Sequence, residues 1–309
     1  MIFLRDKLLD KYDMGIFGLG YESRSKEVFI RHYSKCLKTL AIGYLVNNEN
    51  CSYPSNLELF KSHNCTISEC RDTDIENTIS RFLGKPIKTK SVLLDITSMS
   101  RHRLTRVIEV LNKLLPNKST ITIFYSIADY TPPPTDGNSI KFLGELSEGL
   151  SGGLCDISKP VALVLGLGYE KFKAHGVYNY LDPSECFLLI PNGSDEKFGQ
   201  DVNNNNSSLI KTIPSEKILN YNVFNPISIY SILSNLLVGL SIEYRPLVIP
   251  LGPKILTAIS AVIGLSSSGE FPIWRVSSEY EKPVDRSSSH EPIYFSIMTD
   301  SENNMDTQP

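Results

Sequence analysis

Gly18-Leu19-Gly20-Tyr21-Glu22 recurs letter for letter as Gly166-Leu167-Gly168-Tyr169-Glu170, 148 positions later. Each copy follows a short apolar run, Met14–Phe17 in the first case and Val161–Leu165 in the second. An apolar run that ends in Gly-x-Gly reads as a buried strand turning sharply out of a sheet. Working outward, Ser91–Asp95 and then Ile96–Arg101 precede a helical run, Leu104–Leu115. Their counterpart is Leu247–Pro250, then Leu251-Gly252-Pro253-Lys254, before the helical run Ile255–Leu265. A third pair is Asp129-Tyr130 and Glu279-Tyr280, each at the end of a strand-like run and each followed by proline. Three matches in the same order, at offsets of 148, 155 and 150 positions, read as an internal duplication.

The remaining pattern sorts into the same scheme. In the first half, Lys38–Leu45, Ser91–Ile96 and Thr120–Ser126 read as strands and Ile75–Leu83 as a helix. In the second half, Glu185–Ile190, Leu219–Val223, Leu247–Ile249 and Pro272–Val276 are the strands. Short apolar runs that alternate with amphipathic ones imply parallel sheets covered by helices on both faces. The expected fold is therefore α/β: two tandem Rossmann-like repeats, residues 1–150 and 151–298, related by a pseudo-two-fold, with a polar tail at 299–309. Gly144–Pro160 reads as the linker, and Asn192–Ser208, with four consecutive asparagines, as a long loop.

Composition narrows the function. The 309 residues carry 31 Lys and Arg against 34 Asp and Glu, a net charge of −3, which gives no extended nucleic-acid surface. Met1–Asp10 is broken by Arg5 and Asp6 and is no signal peptide. Pro226–Ile242 is interrupted by Ser and Asn and reads as a buried amphipathic helix, not a membrane span. The six cysteines show no framework spacing, which points to a reducing cytoplasm. Cys51, His63, Cys65 and Cys70 lack a paired C-x2-C knuckle, so no metal and no cofactor is expected.

All three repeated motifs fall just past a strand, at the sheet edge where open α/β folds bind ligands. Gly18, Gly20, Gly166 and Gly168 suit positive φ and close backbone approach, and the following helix would aim N–H groups at an anion. The third glycine of a dinucleotide fingerprint is missing, since Ser23 and Lys171 stand there. Thr97, Ser98, Ser100 and Arg101 form a hydroxyl-rich turn with a cation, suited to phosphate, and Gly252 and Lys254 are the second-half equivalents. Tyr21, Arg24, Asp129, Tyr130, Glu170, Glu279 and Tyr280 complete the expected ligand set. Glu22 and Asp95 are the candidate catalytic carboxylates.

On those residues the chain resembles two groups. The turn Asp95–Arg101, with Leu251-Gly252-Pro253-Lys254 in the second half, is similar to the ligand-gripping turn of CRISPR-associated Rossmann-fold (CARF) sensor domains. Gly20-Tyr21-Glu22-x-Arg24-Ser25, Asp-x-x-Ser-Met-x-Arg and Pro-Leu-Gly-Pro-Lys together resemble a poorly characterised bacterial family of mobile defence loci. The resemblance implies a nucleotide or phosphorylated-ligand sensor in bacterial antiphage defence, acting with a protein effector, oligomeric or not. Two other readings stand beside it. One is an enzyme cleaving an N-glycosidic or phosphodiester bond of a nucleotide through Glu22 or Asp95. The other is a non-catalytic scaffold subunit of a defence complex.

Overall fold

A computed structural model describes residues 2–4, 8–46, 49–133, 140–152, 155–193, 195–278 and 283–300. The chain divides into two compact units, Met1–Asp129 with Lys282–Pro309, and Tyr130–Glu281.

The first unit contains strands β1 (Ile2–Leu4), β2 (Met14–Gly18), β3 (Thr39–Gly43), β4 (Thr66–Glu69), β5 (Ser91–Asp95) and β6 (Thr120–Tyr125). Between them lie helices α1 (Glu27–His32), α2 (Tyr53–Ser62), α3 (Ile75–Leu83) and α4 (Arg101–Leu114). The second unit contains β7 (Ile140–Glu145), β8 (Val161–Gly166), β9 (Glu185–Asn192), β10 (Ile218–Asn222), β11 (Arg245–Pro250) and β12 (Trp274–Ser278). Its helices are α5 (Lys173–Leu181), α6 (Glu196–Asn205), α7 (Ser207–Ile210), α8 (Pro226–Ser241) and α9 (Lys254–Ser266). The chain then returns to the first unit as β13 (Ile293–Met298).

The first sheet has the order β1-β13-β6-β5-β2-β3-β4. Strands β2 to β6 are parallel, β13 is antiparallel to β6, and β1 is antiparallel to β13. Every residue of β2 is buried, as a central strand covered on both faces requires. Phe17 meets Phe29 of α1 edge-on at 5.0 Å, and Phe29 stacks on Phe60 of α2 at 4.2 Å. Ile75, Ile79 and Leu83, each four residues from the next, bury one stripe of α3. The second unit carries a parallel sheet, β10-β9-β8-β11, and a separate antiparallel pair, β12-β7.

The α/β fold with mainly parallel sheets is the expected one. Both units share an order, third–second–first–fourth, for their first four parallel strands. They are then completed differently, one to seven strands and one to four plus a pair, so the architecture does not establish duplication.

Three expectations change. A boundary at 150/151 falls inside the second unit, because β7 pairs with β12 and Leu146 and Leu150 are wholly buried. Residues 144–150, the first part of the expected linker, are therefore packed into this unit. Residues 293–298 do not close the second repeat, because their ladder is with β6. The asparagine-rich stretch is mostly helix α6: Asp195 caps it by accepting from the Lys197 amide, and Val202 is buried on its inner face. A cap and one apolar face outweigh the poor helix propensity of asparagine. The expected tail beyond residue 300 and the pair Glu279-Tyr280 lie outside the described residues.

A fragment of residues 1–150 should therefore fail to fold, because β6 loses its partner β13. Residues 1–129 joined by a short Gly/Ser linker to 283–309 should give the dispersed amide spectrum of a folded domain. A dispersed spectrum from 1–150 alone would contradict this division.

Candidate functional site

The sheet order reverses between β2 and β5, and the turns after their carboxyl ends carry the first two motifs of the first unit. A switch point of this kind is where open α/β sheets hold ligands.

The two turns touch. A Cβ on Gly20 would lie 2.5 Å from the Ser98 Cβ, and one on Gly18 would lie 3.0 Å from the Met99 Cγ. The glycines serve close approach of loop to loop, and neither has the expected positive φ. The second unit repeats this: a Cβ on Gly168 would lie 2.8 Å from the Leu251 carbonyl oxygen and one on Gly252 2.6 Å from the Leu167 carbonyl oxygen, while Gly166 makes room for Leu256.

Several backbone amides of these turns are engaged internally. Gly20 N–H donates to Ser25 Oγ at 3.1 Å, and Ser25 Oγ donates to the Gly18 carbonyl at 2.8 Å. No long helix follows at once: a 3-10 turn leads into α1, which has six residues. After β5, the Thr97 amide donates to Asp95 Oδ1 at 2.9 Å and the Ser100 amide to Tyr44 Oη at 2.7 Å. Ser100 Oγ caps α4 by accepting from the Arg103 amide at 3.1 Å. The expected cradle of free N–H groups for phosphate is not present at these amides.

Glu22 and Arg24 are buried, at 7% and 4% exposed. Arg24 Nε donates to Glu22 Oε2 at 2.5 Å, and Arg24 Nη1 donates to the Ser126 carbonyl at 2.6 Å. Arg286 Nη1 reaches Glu22 Oε1 at 3.2 Å. Burial works against the charge of Arg24, but Tyr125 and Glu22 overcome it and hold the guanidinium above its ordinary range. Asn56 Nδ2 donates to the carbonyls of Gly20 and Glu22, each at 2.9 Å. Tyr21 accepts the Ser52 amide at its carbonyl. Glu22 is thus a paired anion that fastens loops, while Asp95 is wholly buried beneath the second turn.

Ser98 Oγ, Ser126 Oγ and Asn56 Oδ1 are buried beside these turns without a hydrogen-bond partner among the described residues. Thr97 is engaged, with Oγ1 accepting from the Ser126 amide at 3.0 Å. Arg101 opens α4.

The other expected residues are placed elsewhere. Asp129 belongs to the first unit and accepts from Ser287 Oγ, Ser289 Oγ and the Ser289 amide, at 2.6 to 2.8 Å. The Ser289 hydroxyl holds its carboxyl below the ordinary range, against some burial. Tyr130 belongs to the second unit, where its hydroxyl donates to Asp201 at 2.7 Å. In that unit Glu170 pairs with Lys173 at 3.5 Å, and Lys254 opens α9. Among the described residues no group of three His, Cys, Asp or Glu side chains gathers as a metal site would require.

Sequence reasoning passed over Arg103 and the two asparagines. Arg103 is 1% exposed; it donates to Asp72 at 2.6 Å, to the Gly43 carbonyl at 2.7 Å and to the Cys70 carbonyl at 2.8 Å, and stacks on Tyr44 at 3.6 Å. Its helical position beside Leu104 and Val107 was the available signal. Asn56 and Asn206, 150 positions apart, each donate to the carbonyl of the second motif glycine in their own unit.

No family model and no curated protein matches the chain. Among solved structures it is similar to a Streptococcus mutans protein assigned as a methyltransferase, in complex with SAH (15% identity, 38% of this chain and 65% of that one, TM-score 0.25). It is also similar to the fibrillarin pre-rRNA processing protein of Methanococcus jannaschii (14% identity, 46% and 64%, TM-score 0.26). A third is phosphoethanolamine N-methyltransferase 1 of Haemonchus contortus, with phosphoethanolamine and S-adenosylhomocysteine (7% identity, 79% and 70%, TM-score 0.27). The chain spans just under two thirds of the length of the first two. At such TM-scores these likenesses lend it neither an activity nor a cofactor. None of these structures is described as a CARF sensor or a defence component, and no family model supports that resemblance. The resemblance is therefore withdrawn, and with it the antiphage sensor, its effector partner, the phosphorylated ligand, the nucleotide-cleaving alternative and the scaffold.

Arg24→Met should cost about 3–5 kcal/mol, since it strips the buried Glu22 of its nearer partner. Urea denaturation of the full chain measures this, and a loss below 1 kcal/mol would mean that the pair is idle.

Proposed function

We propose that the first unit binds a small, phosphate-free ligand of the nucleoside class at the β2–β5 switch point, with S-adenosylmethionine as that ligand and methyl transfer as its use. The observation that carries the reading is the set of three orphaned buried polar atoms, Ser98 Oγ, Ser126 Oγ and Asn56 Oδ1, beside the two touching turns. Leaving such groups unpaired costs roughly 1–3 kcal/mol each, so a ligand that pairs them recovers that cost. Two hydroxyls and an amide oxygen match ribose hydroxyls and an amine. The same edge suits an anion less well: its Gly20, Thr97 and Ser100 amides are engaged, and Asp95 is buried beneath it. A cationic sulfonium fits that charge better than a phosphate does. Ser98, Ser126 and Asn56 would hold the nucleoside, and the bound group would supply an activated methyl.

Among the described residues no helix is long and apolar enough to cross a membrane. We place the protein in the cytoplasm, a reading supported by its six unpaired thiols.

Calorimetry with S-adenosylhomocysteine, and with ATP as the anionic control, tests the reading. S-adenosylhomocysteine should bind and ATP should not. Ser98→Ala/Ser126→Ala should weaken binding by about tenfold or more, at roughly 0.5–1.5 kcal/mol per hydrogen bond, without lowering Tm. ATP binding, or a double variant that binds as well as the parent, would overturn it.

A further inference from the structure

Residues 283–290 carry the chain back from the second unit to β13, and none of them lies in a helix or a strand. Their course can be followed by their partners. Asp285 accepts from Ser52 Oγ at 2.7 Å, past the end of β3, and from the Ser23 amide at 2.5 Å, past the end of β2. The Arg286 carbonyl accepts from the Arg24 amide at 3.1 Å and from Ser23 Oγ at 3.2 Å, and its guanidinium reaches Glu22. The Ser287 carbonyl then accepts from the Asp129 amide at 2.9 Å, past the end of β6, and Ser287 and Ser289 donate to the Asp129 carboxylate. In the sheet these strands stand in the order β6-β5-β2-β3. A segment fastened past β3, then β2, then β6 must cross the carboxyl end of β5, where Ser98 lies.

How the segment is fastened matters as much as where. No residue from 283 to 290 is buried, and Val284, its one large aliphatic side chain, is 41% exposed. Among the described residues its ties include the hydrogen bonds above and the Arg286–Glu22 ion pair, and none of its residues is buried. The next element contrasts sharply, with Phe295 and Ile297 of β13 wholly buried. Polar, partly exposed ties open at low cost, whereas a core strand opens only with the whole domain.

We propose that residues 283–290 are a strap that closes over the β2–β5 switch point and detaches locally, with β13 left in place, to admit ligand. The claim that it covers the site rests on the preceding functional reading; the claim that it detaches does not. Asp129, Asp285 and the Arg286–Glu22 pair are its clasps, and Arg24 keeps Glu22 paired when Arg286 leaves.

The test is carried out on the full chain bearing Ser98→Cys, with iodoacetamide labelling at residue 98 read by peptide mass spectrometry. Adding Asp129→Ala/Asp285→Ala should raise the labelling rate about tenfold or more. Amide exchange at Arg24 and Asp129, whose acceptors are on the strap, should accelerate likewise, while β5 and β6 amides keep their protection. Ser287→Ala/Ser289→Ala, which leaves both carboxylates in place, should give a smaller change in the same direction. Labelling that is unchanged would overturn the strap, and so would protection lost throughout the sheet together with the strap. Neither readout needs S-adenosylhomocysteine to bind, so failure of the ligand reading is told apart from failure of the strap.

Discussion

The carboxylate of Glu22 is the point on which the first unit's carboxyl edge depends. A buried charge is tolerated only when it is paired and hydrogen-bonded. Arg24 and Arg286 pair it, and Asn56 grips the backbone at its own residue. Through these partners one side chain ties the turn after β2 to Ser126 after β6, to α2 after β3, and to the returning segment at 286. Loops that would otherwise each fray at the edge of a parallel sheet are held as one surface. The repeated pentapeptide is thus a fastening in the first unit before it is anything else, and the second unit fastens its copy with other side chains, Glu170 on Lys173 and Asn206 on Gly168.

A fastened edge has a chemical consequence. The Gly20, Ser100 and Arg103 amides are not bare, because Ser25 Oγ, Tyr44 Oη and Ser100 Oγ accept from them. Beside these turns the hydroxyls of Ser98 and Ser126 and the amide oxygen of Asn56 are left buried without a hydrogen-bond partner among the described residues. On the functional reading proposed above, such an edge suits a nucleoside without phosphate, not the phosphate that the hydroxyl-rich turn and its arginine suggest in the sequence.

Much of the fold was legible, and for identifiable reasons. Buried parallel strands are rich in apolar and β-branched residues, so Ser91–Asp95 and Thr120–Tyr125 stand out. Edge strands need not be, and Thr66–Glu69, with no fully buried residue, left no such mark. The return of Ile293–Met298 to β6 is a pairing over more than 160 positions, which no local pattern encodes. At the site, motif position was readable but role was not. Arg24 and Arg101 look alike in a sequence, and only the fold reveals that Arg24 is committed to a buried carboxylate. Asn56 sits in an ordinary amphipathic helix, so nothing local set it apart; its counterpart 150 positions on becomes informative only once both are seen on equivalent carbonyls.

The central claim is that the β2–β5 edge of the first unit holds a phosphate-free nucleoside. Amide chemical-shift mapping of the full chain during titration with S-adenosylhomocysteine tests it most directly. The account predicts saturable shifts centred on Gly20, Asn56, Ser98 and Ser126. Shifts centred on the second unit, or none at millimolar ligand, would contradict it.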